Sequence, residues 1–194
     1  MIEVEAKFAV DAAEQLFAAI QAINPCASFE ESEESDEYFH HPARDFRITD
    51  EALRIRRTGD SVQLTWKGPR LDAVTKSRRE LELPISSEVA ALALTANQLR
   101  DILLALGFTS AGLVRKTRKT TTVLFEDRRF TVSFDQVEGL PFYVELEILC
   151  EEAQRASATA SLLRLADSLG LHQSERRSYI ELVQLNSQAG VQAT

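Results

Sequence analysis

The sequence predicts an α+β fold, in which a closed eight-stranded antiparallel β-barrel forms a tunnel and helices pack outside it. Two observations predict this fold. First, segments whose side chains alternate with a period of two recur from the first residues to about residue 150, each with one apolar face and one polar or charged face. Second, apolar residues at helical spacing lie between or after these segments. Closing an antiparallel sheet of roughly eight strands removes its edges and leaves an interior that holds side chains or one ligand.

The first ten residues show the strand pattern in its simplest form. Glu3, Glu5 and Lys7 share one face, and the apolar residues at positions 4, 6, 8 and 10 share the other. The charged face of a single amphipathic strand is normally solvated, so this segment alone also fits an exposed edge. Because later strands repeat the pattern, we expect the charged face to point into a water-filled barrel and the apolar face to pack against helices.

Two stretches depart from this rule. In residues 113–125 both alternating phases are polar, so the periodicity does not choose between the face that carries Lys116 and Arg118 and the opposite face. Residues 30–37 hold six acidic residues in eight positions, which predicts a mostly solvated loop before a strand that begins near Asp36.

Helical spacing and capping signals predict the remaining elements. The predicted helices cover, in order, residues 11–24, 86–107, 152–169 and a short segment between Ser174 and Leu185. In the second helix, Thr95 and Gln98 form a capping box, and Gly107 follows the last turn. Its expected apolar stripe consists of Leu99, Ile102, Leu103 and Leu106. Pro84 is expected to end the strand before this helix.

Composition and charge narrow the class of protein. The 194 residues are expected to form one domain, residues 1–194, with a formal net charge of −8, which argues against a nucleic-acid or membrane-surface binder. No apolar run is long enough for a membrane span, and the start lacks the layout of a signal peptide. Cys26 and Cys150 have no metal-type spacing, so we expect reduced thiols in a cytoplasmic protein. The sequence also allows a homodimer.

The charged faces hold both signs in quantity. The acidic residues are Glu3, Glu5, Glu80, Glu82, Asp135, Glu145 and Glu147, and the basic residues are Lys7, Arg54, Arg56, Lys67, Arg78, Lys116 and Arg118. Paired carboxylates are hard oxygen ligands that suit Mg²⁺ or Mn²⁺, and Lys and Arg suit phosphate oxygens. The two sets together indicate phosphoryl or nucleotidyl transfer. The alternative is a set of internal salt bridges that binds no substrate.

The order of the motifs resembles that of the CYTH, or triphosphate tunnel metalloenzyme, superfamily. The matching strings are Glu3-Val-Glu5-Ala-Lys7, Asp36-Glu-Tyr38-Phe39, Leu53-Arg54-Ile-Arg56, Leu64-Thr-Trp-Lys67-Gly-Pro, Arg78-Arg-Glu80-Leu-Glu82, Lys116-Thr-Arg118, Asp135-Gln-Val-Glu-Gly139-Leu140 and Glu145-Leu-Glu147. The first string alone is a weak signal, but the ordered set is specific and runs through nearly the whole chain. The resemblance implies an eight-stranded tunnel and favours Lys116 and Arg118 as inward residues.

The resemblance also implies roles for individual residues. The residues implied to hold Mg²⁺ or Mn²⁺ are Glu3, Glu5, Asp135, Glu145 and Glu147. The residues implied to bind the triphosphate are Lys7, Arg54, Arg56, Lys67, Arg78, Lys116 and Arg118, of which Lys7, Arg54, Arg56 and Lys67 are also implied to be catalytic. The implied supporting residues are Tyr38, Glu80 and Glu82.

The resemblance leaves the substrate open. The strings around Lys67, Arg78 and Tyr179 look most like the class IV adenylate cyclase branch, which implies ATP as substrate and cyclic AMP and pyrophosphate as products. A hydrolase acting on tripolyphosphate, thiamine triphosphate or a nucleoside triphosphate is the alternative. A polyphosphate-binding module without chemistry is disfavoured, because an anion binder gains nothing from the carboxylates. The sequence departs from relatives at His40, where they often have Asp, and at Pro141, where they have Gly.

Overall fold

The structure, a computed structural model, describes residues 2–11, 13–25, 27–59, 61–71, 75–85 and 89–192. It confirms the α+β fold, with eight antiparallel strands in one sheet and helices packed outside. The strands are β1 (Ile2–Ala9), β2 (Glu30–His40), β3 (Ala52–Thr58), β4 (Ser61–Lys67), β5 (Glu80–Ile85), β6 (Thr109–Phe125), β7 (Arg128–Val137) and β8 (Phe142–Cys150). Their order across the sheet is β1-β8-β7-β6-β2-β3-β4-β5.

The helices follow the predicted segments approximately. They are α1 (Ala13–Ile23), the single turn α2 (Phe46–Thr49), α3 (Val89–Ala105), α4 (Arg155–Ser168) and α5 (Tyr179–Gln192). Among the described residues, none of these helices combines the length and apolarity that crossing a bilayer requires. Cys150 is a buried free thiol, and Cys26 lies outside the described residues.

The sheet curls into a half-barrel, and its two edges approach each other at one place. The backbone N–H of Lys76 donates to the carbonyl of Glu5 at 2.8 Å, and the N–H of Arg78 donates to the carbonyl of Glu3 at 3.2 Å. The segment that leads into β5 is therefore bridged to β1, at the opposite edge of the sheet. This bridge brings the charged face of β1 next to side chains that are remote from it in the strand order.

The apolar faces of the strands pack outward, as the inverted pattern predicts. One cluster of buried side chains lies between β1, β7, β8 and the helices α1 and α4. A second lies between β3, β4 and helix α3, and Trp66 packs against it. A third joins α5 to β2, β6, β7 and β8. Helices α1, α3 and α4 therefore cover the outer face, whereas α5 packs against inward side chains such as Val114, Val137 and Tyr143 at one end of the inner face, which otherwise keeps the charges.

The prediction that residues 30–37 form a solvated loop is wrong, because these residues belong to strand β2. Glu34 and Asp36 point inward, where they are buried and bonded to cations. Of the outward carboxylates, Glu31 lies 3.0 Å from Lys119 on β6, and Glu37 pairs at 3.0 Å with Arg100 on α3. The acidic composition therefore reflects a strand whose two faces both meet basic partners.

Two other expectations also fail at element boundaries. Pro84 does not end a strand but lies within β5, opposite Gln63. Proline is tolerated there because β5 is an edge of the sheet, where one side of the strand needs no ladder hydrogen bonds. Leu81 and Leu83 on this strand are half exposed, with 52% and 56% of their surface accessible.

Helix α3 begins earlier than its capping signal indicates. Thr95 lies inside the helix rather than at its start, so it does not cap it. The predicted apolar stripe is also too wide, because Leu99 and Leu103 pack against the sheet while Ile102 and Leu106 are mostly exposed. The helix contacts the sheet along a narrow line. Gly107 follows the helix with a positive φ of 89°, as predicted.

Helix α5 docks closely against β6 at Gly112. This glycine has a φ of 139°, and a Cβ added there would lie 2.8 Å from Cδ1 of Ile180. We expect Gly112→Ala to lower the stability of the protein by about 1–3 kcal/mol, because both the backbone conformation and the helix contact are disturbed. Urea unfolding measures this change. Gly59→Ala is the control, since an added Cβ at Gly59 meets nothing within 4 Å. An equal loss of stability in both variants would contradict this account.

Candidate active site

The inner face of the sheet encloses a cavity of about 220 Å³ lined by charged side chains. All the site residues implied by the sequence resemblance line it except Asp135, which is fully buried beside it. Five further residues line the cavity, namely Ala52, Gln63, Lys76, Ser178 and Tyr179. Glu82 is exposed at its rim. The alternation of side chains along the strands thus places the implied acids and bases around one space.

Three carboxylates meet where β1 pairs with β8. Glu5 lies directly opposite Glu147 in the register, and Glu3, two residues before Glu5, lies on the same face of β1. One oxygen from each of Glu3, Glu5 and Glu147 lies within 4.8 Å of the others. Burial, together with the neighbouring charge of Glu3, raises the pKa of Glu147 to about 8. The group therefore contains a carboxylate whose charge the protein compensates poorly, and hard oxygen donors of this kind suit a divalent cation.

The raised pKa values of buried carboxyl groups predict a pH dependence of the protein's stability that can be measured without metal. Besides that of Glu147, the pKa of Glu80 is raised, to about 7, chiefly by burial. Between about pH 5 and 7 the folded protein then binds more protons than the unfolded chain, so its stability is expected to fall as the pH rises. We limit this expected fall in stability to pH values below about 7. Above that pH, the folded protein holds fewer protons on Lys7 than the unfolded chain does, because the pKa of Lys7 is lowered to about 7, and this opposes the fall.

Thermal melts in EDTA measure this dependence. Glu147→Gln is expected to flatten the curve, since it removes one of the two groups, whereas Glu14→Gln on the exposed face of α1 should retain the wild-type slope. A wild-type melting temperature that rises between about pH 5 and 7 would contradict the assignment.

Asp135 and Glu145, also implied as metal ligands, are not among these three grouped carboxylates and are paired with cations instead. The guanidinium of Arg118 binds both oxygens of Asp135, at 2.7 and 2.6 Å, and also pairs with Glu145. Asp135 accepts further hydrogen bonds from Lys116 at 3.3 Å and from the hydroxyl of Tyr179 at 2.6 Å. In this arrangement the acids orient the basic side chains toward the cavity.

A similar pair of acids holds the arginines of β3, and the sequence reasoning assigned neither of them to the site. Arg56 makes two bonds of 2.7 Å to Asp36 and one of 2.9 Å to Glu34, and Arg54 lies 3.2 Å from Asp36. Opposing burial, these guanidinium groups hold the pKa of Asp36 well below its ordinary value. The period-two spacing of Glu34, Asp36 and Tyr38 contained the signal, but the acidic composition obscured it.

Lys67 lies between two carboxylates from different strands. Its Nζ is 2.5 Å from Glu80 on β5 and 3.5 Å from Glu3 on β1. Arg78 is 3.7 Å from the same oxygen of Glu80. Although burial opposes it, the charge of Glu3, followed by that of Glu80, raises the pKa of Lys67. Lys67 therefore stays cationic and connects the carboxylate group to the basic side of the cavity.

Lys76 is a site residue that the sequence reasoning missed. Its side chain is buried, and its Nζ donates to Oε1 of Glu5 at 2.7 Å. Burial and the neighbouring charge of Glu145 would raise the pKa of Glu5, but Lys76, with Lys67 and Arg78, lowers it overall. No periodic pattern indicated this contact, because it depends on the bridge between β1 and the segment before β5.

Lys7 lies at the end of the cavity that helix α5 covers. Its Nζ donates to the carbonyl of Arg177 at 2.6 Å and lies 3.8 Å from the ring centroid of Tyr179. The segment before α5 is attached to β1 through the N–H of Glu175, which donates to the carbonyl of Lys7. Burial, followed by the nearby charge of Lys76, lowers the pKa of Lys7 to about 7. This amine can therefore exchange a proton near neutral pH.

Comparisons with known proteins agree with this fold. The family model described as the CYTH domain matches residues 1–179. A Methanocaldococcus jannaschii protein with a provisional adenylate cyclase name is 30% identical over 94% of this chain and 98% of that protein. An Aeromonas hydrophila protein named adenylate cyclase is 29% identical over 91% of this chain and 86% of that protein.

Two solved structures show the same architecture. A Pyrococcus horikoshii protein is 35% identical, with a TM-score of 0.79 over 94% of this chain and 98% of that one. A Hippeastrum protein described as having a dominant triphosphatase activity has a TM-score of 0.61 over 94% of both chains. At 16% identity, this second likeness shows the fold alone.

Proposed function

The chain belongs to the CYTH domain family, and from this premise we propose that it is a metal-dependent enzyme that cleaves a phosphoanhydride bond of a triphosphate held in the charged cavity. The observation that supports this proposal is the separation of charge within one cavity. Glu3, Glu5 and Glu147 lie together on one side, and basic side chains from β3, β4 and β6 line the rest.

The basic residues fit the oxygens of a chain of phosphates. Arg54, Arg56 and Arg118 are each fixed by a carboxylate behind them, so their orientation is set before a ligand arrives. Pre-positioned cations of this kind stabilise the charge that develops on transferring phosphoryl groups, without a cost of reorganisation at the moment of reaction. Lys67 and Lys116 add point charges between them.

The carboxylate group fits a Mg²⁺ or Mn²⁺ ion. The donors are hard oxygens from three carboxylates. Burial, with the neighbouring charge of Glu3, disfavours the charged form of Glu147 and raises its pKa to about 8, and a bound cation would favour the charged form. Glu3, Glu5 and Glu147 would hold the ion. A bound ion of this kind neutralises phosphate oxygens and makes the phosphorus more susceptible to attack.

The reaction we propose is that of an adenylate cyclase, which is the name of the two relatives. The ribose 3′-oxygen of ATP forms a bond to the α-phosphorus, the bond from that phosphorus to the α,β-bridging oxygen breaks, and pyrophosphate leaves. The neutral amine of Lys7, with its pKa near 7, is the group we propose to accept the proton of the 3′-hydroxyl.

Hydrolysis of a triphosphate is the second candidate. The observation that favours it is the charged lining, because an inorganic triphosphate needs only charged groups and a water molecule in line with its terminal phosphorus. The same residues would bind the substrate in both reactions. The two candidates differ in the attacking oxygen and in the products.

Product analysis tests both candidates. The protein is incubated with Mg²⁺ or Mn²⁺ and with ATP, tripolyphosphate or thiamine triphosphate, and cyclic AMP, pyrophosphate and orthophosphate are measured. Equal amounts of cyclic AMP and pyrophosphate from ATP support the cyclase, and orthophosphate as the main product supports a hydrolase. Absence of turnover with all three, in a protein that melts cooperatively, would overturn the proposed enzyme.

A further inference from the structure

The charged cavity offers little surface to a nucleobase. Apart from Ala52 and the rings of Tyr38 and Tyr179, its lining consists of charged or polar side chains. Sites that bind flat organic rings are mostly apolar, with a few polar groups that fix orientation. A nucleoside triphosphate whose phosphates lie in the charged cavity must therefore place its base elsewhere.

A second cavity of about 200 Å³, which we call the rim pocket, combines apolar walls with a rim of charged side chains. It lies among α2, α5 and the ends of β2 and β3 that face them. Buried apolar side chains form much of its wall, namely Phe39, Phe46 and Leu53, with Ile180 on the α5 side. These walls expose carbon surface to the pocket, which suits a planar ring.

The polar part of the rim pocket is held in place by internal hydrogen bonds. Asp50 is the αL residue that ends α2, and it accepts hydrogen bonds from the backbone N–H and the Nε of Arg70 at 3.0 and 2.7 Å. A nitrogen of Arg70 also donates to the carbonyl of Arg176 at 2.8 Å. Across the pocket, Gln184 on α5 donates to the carbonyl of Ala111 at 2.9 Å. These hydrogen bonds fix the positions of the polar lining residues before a ligand binds.

The two cavities adjoin each other. Tyr38, Ala52, Arg78 and Ser178 line both of them. Ala52 pairs with Lys67 in the β3–β4 register, so it borders the phosphate-binding residues directly. Its methyl group is the smallest side chain among the four shared residues, so a larger side chain there would fill space between the two cavities.

We propose that the rim pocket binds the base of a nucleoside triphosphate whose phosphates occupy the charged cavity, and that Ala52 forms the passage between the two. This inference rests on the proposed function, because it takes the charged cavity to be the triphosphate site. The inference assigns a binding site to the base, which is the part of a nucleotide that inorganic triphosphate lacks.

Binding measurements in EDTA test the inference without turnover. ATP and tripolyphosphate are titrated separately by calorimetry into wild type and into Ala52→Leu, whose larger side chain would narrow the passage. We expect the variant to bind ATP at least about tenfold more weakly, while its affinity for tripolyphosphate changes less than about twofold. If wild type binds neither ligand, this inference fails, and the product analysis with Mg²⁺ or Mn²⁺ then decides the proposed function separately.

A second variant and a control keep the result interpretable. Ala111→Leu narrows the rim pocket from the opposite wall without lining the charged cavity, and it should produce the same selective loss. Ala9→Leu, at the exposed end of β1, should change neither affinity. Equal weakening of ATP and tripolyphosphate in both pocket variants, or unchanged ATP binding in both, would overturn the rim pocket while leaving the proposed function intact. If the two pocket variants lose binding of thiamine triphosphate but keep binding of ATP, the assignment of the rim pocket to a nucleobase is wrong.

Discussion

Replacing Glu147 by Gln is expected to lower turnover by at least about 100-fold while leaving the metal-free protein as stable as wild type or more stable. Turnover falls because Gln removes one of the negative charges proposed to hold the divalent ion. Stability is retained because burial and Glu3 already raise the pKa of Glu147 to about 8, so the neutral side chain relieves repulsion in the folded state. Initial rates at saturating Mg²⁺ or Mn²⁺ and thermal melts in EDTA measure the two effects.

Glu147→Gln separates chemistry from folding better than the equivalent change at Glu5. Glu5→Gln would leave the buried ammonium of Lys76 without its partner, and breaking a buried ion pair costs about 3–5 kcal/mol. A lower rate in Glu5→Gln could therefore come from unfolding as well as from loss of a metal ligand. Glu14→Gln serves as the control for an acid-to-amide change on the surface. Near wild-type turnover in Glu147→Gln would rule out the carboxylate group as the metal site.

Lys67 and Trp66 are neighbours on β4 whose side chains lie on opposite sides of the sheet, and their replacement is expected to have opposite consequences. Lys67→Met should lower turnover by about 100-fold or more, because it removes a fixed cation from the charged cavity. Its stability should change little near pH 6, where Glu80, with its pKa near 7, is already mostly protonated and therefore loses little when the charge of Lys67 is removed.

Trp66→Ala should instead lower stability by about 3 kcal/mol. The indole packs against the cluster beneath α3 and donates a hydrogen bond to Glu51 at 3.1 Å. Activity per folded molecule should remain near that of wild type when rates are corrected for the folded fraction measured by circular dichroism. A Lys67→Met variant with normal turnover, together with a Trp66→Ala variant that is stable but inactive, would place the active site on the wrong face of the sheet.

Much of the fold and of the site followed from local periodicity. Alternation along β1 and β8 identified Glu3, Glu5, Glu145 and Glu147 as inward, since side chains in a strand alternate whatever the partner strand is. For Lys116 and Arg118 alternation was insufficient, because both faces of β6 are polar and only the tertiary fold distinguishes inside from outside.

Other parts of the site depend on contacts that no local pattern contains. Strand β2 is rich in acids because its inward carboxylates hold arginines of β3, and its composition resembles a loop until those partners are known. Lys76 enters the site through two backbone hydrogen bonds that join opposite edges of the sheet. Tyr179 enters it because the end of the chain returns to cover β1. Each contact joins segments far apart in sequence.

The ion pair between Lys76 and Glu5 makes cation binding an exchange rather than a simple addition. A divalent ion that reaches Glu5 must compete with an ammonium that is already bound there, so its affinity for the ligand-free protein is reduced by the strength of that pair. An ammonium released from Glu5 would lie in a cavity lined by other cations, where an anion gives it a new partner. A metal ion and a polyphosphate should therefore each increase the affinity of the protein for the other, and by the same factor, as thermodynamic linkage requires.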